Sequence, residues 1–161
     1  MKYISNAKYR EPVETGENME DRYLFKAKRK DNGEWVQGYY VKGLNMYDKE
    51  VYLIFEPNTM FYSSGETDGW YKVDLSTICR CTGLKDKNGK LIWENDICDR
   101  KEEYPEIVKY NNGDWTLDYS YSKGKESGYC YCNLGFYALE RKCVEVIGNI
   151  FDNKELLESE G

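Results

Sequence analysis

Thr82-Gly83-Leu84-Lys85-Asp86-Lys87-Asn88-Gly89-Lys90-Leu91-Ile92-Trp93-Glu94-Asn95-Asp96-Ile97 is the stretch that decides the fold. Asp86-Lys87-Asn88-Gly89 reads as a tight turn, because Asn-Gly favours the positive φ that a hairpin loop demands. Leu91-Ile92-Trp93 leaves the turn as a strand, with Leu91 and Trp93 on one face. Glu94-Asn95-Asp96 is a second tight corner, and Ile97-Cys98 starts the next strand.

The same grammar extends in both directions. Upstream, Arg22 to Lys30 alternates, with Tyr23, Phe25 and Ala27 opposed to Leu24, Lys26, Lys28 and Lys30. Asp31-Asn32-Gly33 turns it into a returning strand over 35–41, and Val51 to Phe55 is a third strand. Trp70 to Val73 and Ser76 to Cys81 are shorter candidates beyond a polar loop at 56–69. Downstream, Glu106 to Tyr110, the turn Asn111-Asn112-Gly113-Asp114, and Trp115, Leu117, Tyr119 and Tyr121 alternating with polar residues predict a hairpin. Tyr129 to Tyr137 and Cys143 to Phe151 are the last strands. Asp152 to Glu158 predicts a short acidic helix with Asp152 as its N-cap. About ten short strands with tight turns predict an all-β fold, a small barrel or sandwich in two parts. The expected organisation is an N-terminal arm (1–21), one domain over 22–158 with subdomains of 22–72 and 73–151, and a tail at 159–161.

Composition limits what such a fold can do. Of 161 residues, 16 are Tyr, 5 Phe and 4 Trp, which suits strands and supplies large buried areas. The 29 acidic residues outnumber the 23 basic ones, a net charge of −6 with no long-range attraction for nucleic acid or anionic lipid. No apolar run reaches the about 18 residues of a membrane span, and the N-terminus lacks the apolar core of a secretion signal. A cytoplasmic protein with reduced cysteines is expected. Histidine is absent, which removes Ser-His-Asp and Cys-His nucleophile systems and mixed Cys/His zinc sites.

The 82–97 stretch strongly resembles the signature of the YopX family of phage and prophage proteins. Glu145-Val146-Ile147-Gly148-Asn149-Ile150-Phe151-Asp152-Asn153, followed by Glu155-Leu156-Leu157, is similar to the family's closing block. The stretches around Phe25-Lys26-Ala27 and Trp35 to Tyr39 resemble its opening strands more weakly. Asn95 stands where the family usually has Gly, so the corner there calls for a left-handed Asn. Lys28 replaces a frequent aromatic residue, and Lys154 the usual Pro. The resemblance implies a mainly β fold whose second half is like an SH3-like barrel, and a phage or prophage origin. It implies no chemistry. Thr82, Gly83, Leu84, Asp86, Gly89, Asp96, Ile97, Gly148 and Asn149 read as fold determinants.

Four groups of residues are candidates for more than structure. Cys79-x-Cys81 and Cys130-x-Cys132 place paired thiols on strand faces; the C-x-x-C turn spacing of zinc ribbons is missing, so buried thiols are expected and no cofactor. Glu94 and Asp96, with Asp86 across the hairpin, pair carboxylates, but beside turns where such groups are solvated or bond the backbone. Arg22, Lys26, Lys28, Arg29 and Lys30, interleaved with aromatics, form the one local excess of positive charge. They suit either single-stranded nucleic acid or an edge strand protected by lysines. Tyr119 and Tyr121, with Tyr129, Tyr131 and Tyr137 downstream, suit a protein interface or the rim of a tyrosine-rich core. Together these point to a non-enzymatic phage accessory protein that binds a second copy of itself or another phage or host protein. The alternative is a nucleic-acid binder using the Arg22–Lys30 strand. No membrane partner is expected.

Overall fold

The computed structural model describes residues 19–57, 69–121 and 131–158. Among these residues a 3-10 turn, Met19–Tyr23, leads into eleven strands: β1 Phe25–Lys28, β2 Trp35–Leu44, β3 Glu50–Phe55, β4 Trp70–Lys72, β5 Cys79–Lys85, β6 Leu91–Trp93, β7 Asp96–Asp99, β8 Glu106–Asn111, β9 Asp114–Asp118, β10 Tyr131–Asn133 and β11 Glu145–Asn149. They form two antiparallel sheets, ordered β4-β3-β2-β1-β5-β6 and β10-β9-β8-β7-β11. The all-β reading therefore holds.

The turns form as their residues dictate. Asn112 and Gly113 both take positive φ (51° and 91°) between β8 and β9, the pairing a two-residue hairpin loop needs. Gly89 has φ of 82°, and Asn95 adopts the left-handed conformation expected of it, at φ 67°. Several expected elements are shorter. The first strand begins at Phe25, and Tyr23 falls in the 3-10 turn, exposed. The alternating strand from Trp115 ends at Asp118, and Thr116 and Leu117 are both buried. Thr116 tolerates burial because its hydroxyl donates to the Lys109 carbonyl at 3.2 Å. The 129–137 segment yields only β10 within the described residues, followed by a π-helical turn, Phe136–Glu140. At the C-terminus a 3-10 turn, Lys154–Leu157, stands in place of the helix, and Asp152 does not cap it. Its carboxylate is taken instead by Lys28 and the Trp35 indole N–H.

The 82–97 stretch is the seam between the sheets. Alternation along β6 sends Leu91 and Trp93 to a core with Leu24, Cys79, Cys81, Trp35 and Phe151. It sends Ile92 the other way, into a core with Cys98, Val108, Leu117, Leu134 and Val144. A third cluster, Ala27, Val36, Ile54 and Val73, fills the opposite face of the first sheet. Arg80 of β5 reaches across the seam to lie 4.4 Å from the Tyr110 ring and 5.1 Å from Trp115. It is held there by a bidentate bond to Glu94, at 2.9 and 3.0 Å.

Candidate interaction surfaces

Register places six apolar residues on one face of the β2–β3–β4 meander. Tyr39 opposes Phe55, Val41 opposes Leu53, and Gly43 opposes Val51. Phe55 in turn opposes Trp70, and Leu53 opposes Lys72. Directly opposed residues share a face, so Tyr39, Val41, Val51, Leu53, Phe55 and Trp70 form one continuous patch. Tyr39, Val41 and Trp70 remain 41%, 42% and 40% exposed. The charged residues of the hairpin lie on the other face, where Lys42 pairs with Glu50 at 2.5 Å and the Tyr52 hydroxyl bonds the same carboxylate. Sequence reading passed over this patch. The uninterrupted run Val51–Phe55 looks like a strand covered on both sides; only register shows that one side is open.

The tyrosines named from sequence separate. Tyr129 lies outside the described residues, and Tyr131 opens β10 opposite Asp118. Tyr119 and Tyr121 follow β9 at the end of the second sheet. The Tyr121 hydroxyl donates to the Pro105 carbonyl at 2.6 Å, and Tyr119 lines a cavity of about 290 Å³. On the cavity's inner side Arg100 makes a bidentate pair with Glu106, both bonds 2.5 Å, with side chains only 6% and 2% exposed. The Arg100 guanidinium lies 3.8 Å over the Tyr137 ring. Burial works to lower the Arg100 pKa, but the Glu106 carboxylate outweighs it and the net shift is upward.

The basic strand is largely neutralised. Lys26 Nζ bonds Asp96 at 2.6 Å and lies over the rings of Trp35 and Trp93. Lys28 pairs with Asp152, and Arg29 with Asp31 at 2.5 Å while stacking 4.3 Å from Tyr71. Arg22 packs across Gly83, whose φ of 77° no side-chain-bearing residue holds cheaply; a Cβ there would meet Arg22 Cγ at 2.5 Å. Lys30 is exposed.

The sequence profile of the family described as YopX protein matches residues 24–158. The chain belongs to the YopX family. Protein EF1440 from Enterococcus faecalis has a similar crystal structure, with a TM-score of 0.51 and 24% identity over 83% of this chain and 96% of that one. YopX from Bacillus subtilis is a second solved structure, with a TM-score of 0.46 and 16% identity over 87% of this chain and 99% of that one. No curated protein matches the chain.

The YopX signature positions carry the seam. Asp86 accepts from three backbone N–H groups: Asn88 at 2.8 Å, Lys90 at 2.9 Å and Val146 at 3.1 Å. Burial pushes its pKa up, but these donors outweigh burial and hold it below the ordinary carboxylate value. Thr82 donates to the Ile92 carbonyl at 2.8 Å and accepts from Leu84 N–H at 3.1 Å, and Leu84 packs against the second-sheet core with Ile92. Asp96 closes the second corner by accepting from the Trp93 N–H at 2.8 Å, and burial raises its pKa against the pull of Lys26. Ile97 is wholly buried. In the closing block Asn149 Oδ1 accepts from the Phe151 and Asp152 N–H groups, each at 3.0 Å. Gly148 leaves room for Asn153, whose Oδ1 a Cβ would meet at 2.6 Å.

The remaining candidates have local partners. Glu94 holds Arg80, and Asp86 and Asp96 hold backbone and Lys26, so the three carboxylates do not converge. Cys79 and Cys81 are buried in the first sheet, where desolvation pushes the Cys79 thiol up to about 11. Cys132 lies in β10 of the other sheet, 3.7 Å from Arg100, and Cys130 lies outside the described residues. Among the described residues no three His, Cys, Asp or Glu side chains are grouped to hold a metal, and no helix is long and apolar enough to cross a membrane.

Proposed function

We propose that this member of the YopX family is a non-enzymatic phage accessory protein that works in the host cytoplasm through protein contact, and that its first partner is a second copy of itself. The observation that carries this reading is the apolar face of β2–β3–β4. Contiguous exposed apolar surface marks contact sites. Charge selects the occupant. A chain of net charge −6 repels its own copies, and among the described residues this face presents no carboxylate, only Lys72 at its margin. Two copies that meet through it bring none of its described carboxylates together. The five cysteines among the described residues are free thiols, in keeping with a reducing compartment. A nucleic-acid role has weaker support, since Lys26, Lys28 and Arg29 already hold carboxylates.

Light scattering coupled to size exclusion tests the reading. A concentration-dependent dimer is expected, converted to monomer by Val41→Asp. A monomer at every attainable concentration, or a dimer indifferent to Val41→Asp, would refute self-association through this face. A low-salt shift on adding a single-stranded oligonucleotide, lost on neutralising Lys30, would move the reading to nucleic acid.

A further inference from the structure

We propose that the cavity beside the β7–β8 connection binds an organic cation, an alkylammonium or guanidinium group. It lies on the second sheet and is independent of the self-association face. Three tyrosines, Tyr104, Tyr119 and Tyr137, contribute to its lining together with Glu102, Glu103 and the Arg100–Glu106 pair.

The charge of the lining selects a cation. Arg100 is the one cationic residue among the described residues of the lining, and Glu106 already occupies its fork. That pair is internally neutral and offers nothing to an anion. Glu102 and Glu103 are exposed at the rim, and neither has a cationic partner among the described residues. Tyr104 and Glu103 are adjacent in the lining, and the Glu103 carboxylate raises the pKa of the Tyr104 hydroxyl. Aromatic faces beside carboxylates are the surroundings that attract ammonium and guanidinium groups. The protein already shows the chemistry in this cavity: Arg100 itself is held between the Tyr137 ring and a carboxylate.

Size and geometry narrow the class. A volume of about 290 Å³ accepts a side-chain-sized group and falls just short of the range usual for drug-sized ligands. A metal ion is disfavoured, because no three carboxylates converge among the described residues. The walls are also fixed in place. Tyr121 ties down the connection at Pro105, and the π-helical turn Phe136–Glu140 carries Tyr137; such turns recur at functional sites.

The cation has two possible sources, a free small molecule or the side chain of a basic protein segment. Calorimetric titration of the full chain with argininamide, spermidine and an arginine-rich peptide separates them, with sodium acetate as the anionic control. Saturable binding of argininamide or spermidine supports the site with a small-molecule source. Binding of the peptide alone supports it with a protein source. In either case Glu102→Gln combined with Glu103→Gln should weaken binding by about tenfold or more. Both residues are exposed, so the double variant should keep the parental unfolding midpoint. Val41→Asp should leave cation binding unchanged, which separates failure here from failure of the self-association reading. No saturable binding of any cation, or binding that survives the double substitution, would overturn the proposal and leave only the diffuse attraction of an acidic protein.

Discussion

The seam and the β2–β3 hairpin are built from the same materials to opposite ends. At the seam polar groups are buried and paired: Asp86 takes three N–H donors, Asp96 takes Lys26 and the Trp93 N–H, and Thr82 both donates and accepts. The hairpin keeps its ions, Lys42 and Glu50, in water and turns an apolar face outward. Directional bonds define one geometry and are costly to leave unmade, whereas apolar contact is indifferent to partner. The residues that look most distinctive in the sequence are therefore the ones already occupied in folding. Surfaces with capacity to spare lie elsewhere.

Asp96→Ala should break this contrast most severely. It leaves the Lys26 ammonium without its carboxylate and the Trp93 N–H without an acceptor. Loss of one partner of a buried pair costs about 3–5 kcal/mol. Urea unfolding should show a drop of that order, with the β2–β3 face unaffected in any population that remains folded. A loss under about 1 kcal/mol would mean that the seam's bonds are replaceable by water.

How much of this was legible follows from distance along the chain. Gly89, Asn95 and the Asn112-Gly113 turn behave as the sequence requires, because a turn is decided by the residues in it. Leu91 and Trp93 share a core for the same local reason, strand alternation. The basic strand was open to two readings because its partners are remote: Asp96 lies 70 positions from Lys26, and Asp152 lies 124 from Lys28. Asp152 had every local mark of a helix cap, yet Lys28 and Trp35 took its carboxylate. Of the tyrosines, Tyr119 and Tyr137 line one cavity, but Arg100 and Glu106 had no mark in the sequence. They meet only because β7, β8 and the π-helical turn end at the same place. The open face of β2–β3 needed register, which an apolar run conceals.

Acid should sharpen the comparison more gently. Bonds from Lys28 and then from Trp35 hold the Asp152 carboxyl down at about 2, against an ordinary 3.8. A depressed carboxylate adds stability above the unfolded value, and that stability is lost as pH falls from about 4 toward 2. Asp86 is depressed too and loses stability over the same limb. Asp96 is raised and runs the other way: its contribution is present below 3.8 and is lost as pH rises through its folded value. Asp152 and Asp86 thus both contribute to the acid limb. Asp152→Asn should flatten it, giving a smaller difference in stability between pH 5 and pH 2.5 than the parental chain shows. An unchanged acid limb would mean that Lys28 and Trp35 do not hold the C-terminal block in solution.

The smallest expected effect concerns the open face. Val41 is 42% exposed and contributes little to the folded monomer, so Val41→Asp should fall within about 0.5–1 kcal/mol of the parental stability when unfolding is measured on monomer. The concentration matters, because association stabilises the folded state by mass action and would make the same substitution look damaging. The informative quantity is the gap between two unfolding midpoints, one from dilute and one from concentrated protein. In the parental chain the gap should be positive, and in Val41→Asp it should vanish. If Val41→Asp is as destabilising in dilute protein as in concentrated, the face belongs to the fold, and the contrast with the seam is one of chemistry without a division of labour.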